Sequence, residues 1–105
     1  MTILATHAPG EPRKLADDQE SLVEARGCRL LGLWAGGMMG LEEEHLQDYA
    51  AAVAASERPH GDGDAPVQKV ARDLTGAGLK ISQDYVHGKM NEFVAMARGQ
   101  LEAGA

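Results

Sequence analysis

A chain of 105 residues with a net charge of −6 makes one domain with one modest core, and it lacks the basic face that displaces counterions from nucleic acid. No apolar run approaches the roughly 20 residues of a membrane span, residues 1–12 lack the charged and apolar regions of a signal peptide, and the single cysteine, Cys28, forms no internal disulfide. A soluble, cytoplasmic protein that inserts into no membrane and binds no nucleic acid is expected.

Residues 1–13, MTILATHAPGEPR, read as a disordered tail. Pro9, Gly10 and Pro12 interrupt any helix there. Helical pattern starts at Lys14, with Asp17 and Asp18 opposing the positive end of the helix dipole. It runs through the densest apolar stretch, Leu30–Ala35, to Met39. A helix apolar over so wide an arc is buried by several neighbours, so this one is expected to be central, with Trp34 as a packing anchor. Gly27, Gly32, Gly36 and Gly37 lie inside it, and each glycine costs about 1 kcal/mol against alanine in a helix interior. Close approach of another helix accounts for Gly32. Gly36–Gly37 is expected to kink or fray the helix, and Gly40 to end it.

The second helix is expected over 42–56, with Leu46, Tyr49, Ala50 and Val53 at i, i+3, i+4 and i+7. A Pro/Gly loop follows, in which Asp62 or Asp64 suits a cap. Val67, Val70, Ala71 and Leu74 repeat the stripe in a third helix from Ala65, ended by Gly76 and Gly78. Ser82 suits the N-cap of a fourth, whose apolar face is Val86, Met90, Phe93, Val94, Ala97 and Leu101. Four helices with short connections make an all-α, antiparallel four-helix bundle over 14–105 the economical architecture. Its expected core anchors are Leu30, Leu33, Trp34, Tyr49, Val70, Leu74, Met90 and Phe93.

Little points to chemistry. No Gly–x4–Gly–Lys–Ser/Thr run exists to cradle phosphates. Any nucleotide site would be a bundle pocket, with Lys69, Arg72, Lys80 or Lys89 as phosphate contacts. Glu42/His45 and Asp84/His87 form two carboxylate–x–x–histidine pairs, half of a dimetal bundle pattern that needs two more inward carboxylates, for which Glu24 and Asp73 are the nearest candidates. Both pairs fall in first helical turns, where acids are favoured anyway, so no metal or cofactor is expected. Cys28 lies between Arg26 and Arg29, which lower a thiol pKa when close. With no base to activate it, a free, buried or half-buried thiol is the better reading. The chain is not expected to be an enzyme.

One set of residues goes further. Ala25–Arg26, then Arg29–Leu30–Leu31–Gly32–Leu33–Trp34–Ala35, resembles the signature of the zeta subunit of alphaproteobacterial F-type ATP synthases. Tyr49–Ala50 with Val53 resembles that family's second helix. Val67, Lys69–Val70 and Asp73–Leu74 resemble its third, and Ile81–Ser82, Lys89–Met90, Glu92, Ala97 and Gln100 its last. The likeness covers residues 14–101. It implies a four-helix fold, monomeric, that binds the catalytic head (alpha, beta and gamma subunits) and restrains ATP hydrolysis through an N-terminal segment that orders on binding. On this sequence the implied partner contacts are Lys14, Leu15, Asp18, Leu22, Arg26 and Arg29. The family's N-terminus carries phenylalanines in a helix-compatible run, whereas residues 1–13 here hold no aromatic residue, two prolines and a glycine. Weak inhibition or none is therefore expected. The alternative is a divergent paralogue that keeps the bundle and binds an adenine nucleotide or another protein.

Overall fold

In the computed structural model, residues 11–58 and 63–104 are described, with side chains for 19–58 and 63–103. They form four helices: α1 (Glu11–Met38), α2 (Glu43–Ala55), α3 (Asp64–Gly76) and α4 (Gln83–Gly104). No strand occurs among the described residues. α1 is the spine. It packs most extensively against α2 and α4 and also touches α3, which leans on α4. Of the expected tail, residues 1–10 lie outside the described residues. Residues 11–13 form the first turn of α1. Pro12 is accommodated there because its missing N–H is one that a helix start leaves without an intrahelical partner.

The buried face of α1 differs from the expected one. It consists of Val23, Gly27, Cys28, Leu31, Gly32, Ala35 and Gly36, a stripe of mostly small residues. At Gly32 the backbone of α2 comes so near that a Cβ would sit 2.7 Å from Ala50 Cα, closer than carbon atoms pack. A Cβ on Gly27 would meet Val94 of α4 at 2.8 Å, and one on Gly36 would meet Leu46 at 2.6 Å. Gly36–Gly37 does not interrupt the helix, which runs unbroken to Met38. Gly36 receives the Leu46 side chain, while Gly37 faces open space.

This packing corrects the anchor set. Val70, Leu74 and Met90 are buried in the core, as is Leu31, which is fully enclosed with Cys28, Ala35, Val53, Val67 and Val86. Leu30 and Leu33 are only half-buried and stand outside that cluster, because α1 is gripped on its small-residue stripe and its larger leucines fall on the flanks. Trp34, Tyr49 and Phe93 are half-buried and pack on the outside of the core. Trp34 sits at the rim, its ring centroid 6.2 Å from Tyr85 and 6.4 Å from Phe93.

Two helix ends share one device. Gly40 and Gly78 have φ of +86°, a left-handed geometry that glycine adopts without a Cβ penalty. Each lets two N–H groups turn back. Leu41 donates to Gly36 and Gly40 to Gly37, as Leu79 donates to Leu74 and Gly78 to Thr75, the paired bonds of a Schellman motif. Gly63, not an aspartate, caps α3, with Asp64 inside its first turn. Ser82 Oγ accepts from the Tyr85 N–H at 3.1 Å and caps α4.

Side chains then tie neighbouring helices. Tyr49 Oη donates to Asp73 Oδ2 at 2.8 Å, and Lys69 Nζ reaches the same oxygen at 3.2 Å. Burial, reinforced by that carboxylate, pushes the Tyr49 hydroxyl above its ordinary pKa. Between α1 and α4, Arg98 grips both carboxylate oxygens of Glu20 at 2.8 Å.

Candidate functional site

On α1, residues 22, 25, 26 and 29 recur every three or four positions and share one face. That face points away from the core. Leu22 is 59% exposed, and Ala25, Arg26 and Arg29 are exposed beside it. Ala54 of α2 and Leu101 of α4 complete a groove of about 320 Å³. Arg26 Nη1 donates to Gln100 Oε1 of α4 at 3.4 Å, and Arg29 Nη2 donates to Gln47 Oε1 of α2. Both acceptors are neutral amides, so these bonds hold the guanidiniums in place without neutralising them. Of the six expected partner contacts, the structure brings Leu22, Arg26 and Arg29 together. Lys14, Leu15 and Asp18 lie on α1, about one to two turns before Leu22, and their side chains fall outside the described residues. The groove walls, Ala54 and Leu101, carried no local signal. Leu101 continues the apolar stripe of α4 and reads as core.

A second groove, of about 480 Å³, lies towards the other end of α1. Trp34, Met38, Lys80, Ile81, Ser82 and Tyr85 line it. Tyr85 is 57% and Met38 46% exposed. Lys89 Nζ stands 5.6 Å from the Trp34 ring centroid and 5.2 Å from that of Phe93, within cation–π range, and pairs with Glu92 at 3.2 Å. Lys80 and Lys89 thus both neighbour Trp34. Lys69 does not join them: it is committed to Asp73 and lies 5.4 Å from the centre of the Tyr49 ring. Arg72 is exposed on α3. The four expected phosphate contacts therefore form no single cluster around this groove. Tyr85 was missed because a lone aromatic in a helix's first turn has no periodic partner in the sequence.

Cys28 is fully enclosed. Burial, reinforced by Glu57 and Glu24, pushes its thiol up to about 12. Arg26 and Arg29 do not offset this, because their guanidiniums reach outwards to the glutamines. A thiol so protonated is a poor nucleophile. Glu42, His45, Asp84 and His87 are exposed, and among the described residues no three His, Cys, Asp or Glu are placed to share a metal ion. No described helix is long and apolar enough to cross a membrane.

Neither curated proteins nor solved structures gave a match to this chain. A family model did, over residues 1–100, a span that takes in the N-terminal segment as well as all of α1, α2 and α3 and most of α4. The four helices and that match together show that the chain belongs to the ATPase inhibitor subunit zeta family.

Proposed function

We propose that this protein is a regulatory subunit that binds the catalytic head of an F-type ATP synthase and restrains ATP hydrolysis without catalytic residues of its own. The family match over residues 1–100 carries this reading. The exposed face of α1 supports it, since Leu22, Arg26 and Arg29 offer an apolar anchor beside two cations. In this reading α1 supplies most of the binding. Inhibition is weak, because Met1, Ile3 and Leu4 are the only large apolar residues before Glu11, and each is worth only about 1.5–3 kcal/mol when fully buried.

The test is ATP hydrolysis by the purified catalytic head, titrated with the full chain and with a truncation starting at Lys14, alongside a direct measurement of binding. Saturable binding with shallow inhibition is expected from both. A chain with no affinity for the head would remove the reading. Potent inhibition that vanishes on truncation would show instead that the N-terminal segment is the main effector.

The Trp34 groove favours one second reading, an adenine-nucleotide module in which Trp34 or Tyr85 stacks on the base and Lys80 meets phosphate. Titration of the chain with ADP, read by Trp34 fluorescence, decides it. An unchanged spectrum at millimolar ADP excludes it.

A further inference from the structure

We propose that the groove between α1, α2 and α4 seats an acidic amphipathic helix of the catalytic head; the inference rests on the function proposed above and names the chemistry of the partner segment. The floor supplies shape. Ala25 and Ala54 are small, so an incoming helix can lie close, while Leu22 and Leu101 give it apolar surface to cover. An amphipathic helix set in a groove offers matching apolar residues at i, i+3 and i+4.

Charge supplies the sign. Arg26 and Arg29 are one turn apart and anchored to opposite walls, through Gln100 of α4 and Gln47 of α2. These bonds bias the two long side chains towards the groove before a partner arrives, which lowers the entropic cost of binding. Guanidinium groups held in this way suit carboxylates, which they engage through two parallel hydrogen bonds. The chain as a whole carries −6, so an acidic segment is attracted here against a net repulsion from the chain. That repulsion selects the groove against other landing places. The same charge argument disfavours this chain's own first ten residues as the occupant, because they contain no aspartate or glutamate.

The experiment uses the full chain and the purified catalytic head, with affinity measured at low and at high salt. The variants are the double reversal Arg26→Glu/Arg29→Glu and, separately, Leu22→Asp. Asn91→Glu on the exposed side of α4 is the control. All four positions are exposed, so helix content and melting temperature should match the wild type. The double reversal and Leu22→Asp should each weaken binding by roughly tenfold or more, as loss of an interface anchor does. Asn91→Glu should bind as the wild type does. Added salt should weaken the wild type more steeply than the double reversal. A folded double reversal with wild-type affinity overturns the inference while leaving the proposed function standing. A wild-type chain that does not bind the head removes both. Removal of residues 1–10 that raises affinity would make the chain's own segment the occupant. A wild-type dimer dissociated by the double reversal would make it a second copy. Either result overturns the proposal.

Discussion

Along α1, the face turned into the bundle is built from Val23, Gly27, Cys28, Leu31, Gly32, Ala35 and Gly36, while the face turned away carries Leu22, Ala25, Arg26 and Arg29. Two leucines nine residues apart have opposite fates: Leu31 is fully enclosed and Leu22 is 59% exposed. Side-chain size does not sort these faces. Proximity does, because α2 and α4 come near enough to exclude even a methyl group at Gly32 and Gly27. A close-packed interior can be made by bringing backbones together as well as by filling space with large side chains. The large side chains left over become the surface available to a partner.

The contrast can be broken most severely by emptying its inner face. Leu31→Ala should destabilise the protein by about 2–5 kcal/mol, a large share of a small domain's stability. Denaturant unfolding monitored by helicity will show it as a lower midpoint. The same truncation at Leu22 should stay within about 0.5 kcal/mol of the wild type, as exposed substitutions do. Equal losses at the two leucines would erase the distinction between the faces.

Gly32→Ala comes next. Alanine gains about 1 kcal/mol of helix propensity, but its Cβ meets the Ala50 backbone at 2.7 Å, and overpacking of this kind costs about 1–3 kcal/mol. A net loss in melting temperature is expected. Gly37→Ala sharpens the point with the opposite sign. It faces open space on the same helix, so the propensity gain of about 1 kcal/mol should stand and the melting temperature should rise.

The smallest effect concerns pH. The hydrogen bonds from Arg98 hold the Glu20 carboxyl below its ordinary pKa. A carboxyl depressed in the folded state stabilises above its unfolded pKa, and that stability fades as pH falls through the folded value. Stability should therefore decline at acidic pH more steeply in the wild type than in Glu20→Gln. The pair is exposed, so the difference should be slight and should shrink further in salt. Unfolding midpoints measured across the acidic range, with and without added salt, would detect it.

Much of the fold was legible in the sequence because three of the four helices carry their core as periodic Leu, Val and Met. The expected range 42–56 is matched by Glu43–Ala55, and the caps at Gly40, Gly78 and Ser82 fall where local chemistry puts them. The inner face of α1 was not legible in this way. Glycine, alanine and cysteine leave almost no hydrophobic periodicity, so the apolar pattern points instead to Leu30, Leu33 and Trp34, which lie on the flanks or at the rim. The site divides similarly. The spacing of Leu22, Arg26 and Arg29 on one helix face is visible in the chain. The walls of their groove, and the glutamines that hold the arginines, come from helices 18 to 79 positions away, and only the packing brings them together.

The glycine contacts of α1 also act as a mechanical detent. Sliding the helix by one turn, about 5.4 Å along its axis, would put Val23 or Leu31 into the slot now held by Gly27. Even a single added carbon there lies 2.8 Å from Val94. The helix thus has one axial setting in the bundle, and a push along its axis would be passed to α2 and α4 as a whole. Under an axial load α1 would behave as a fixed pawl and not as a sliding rod.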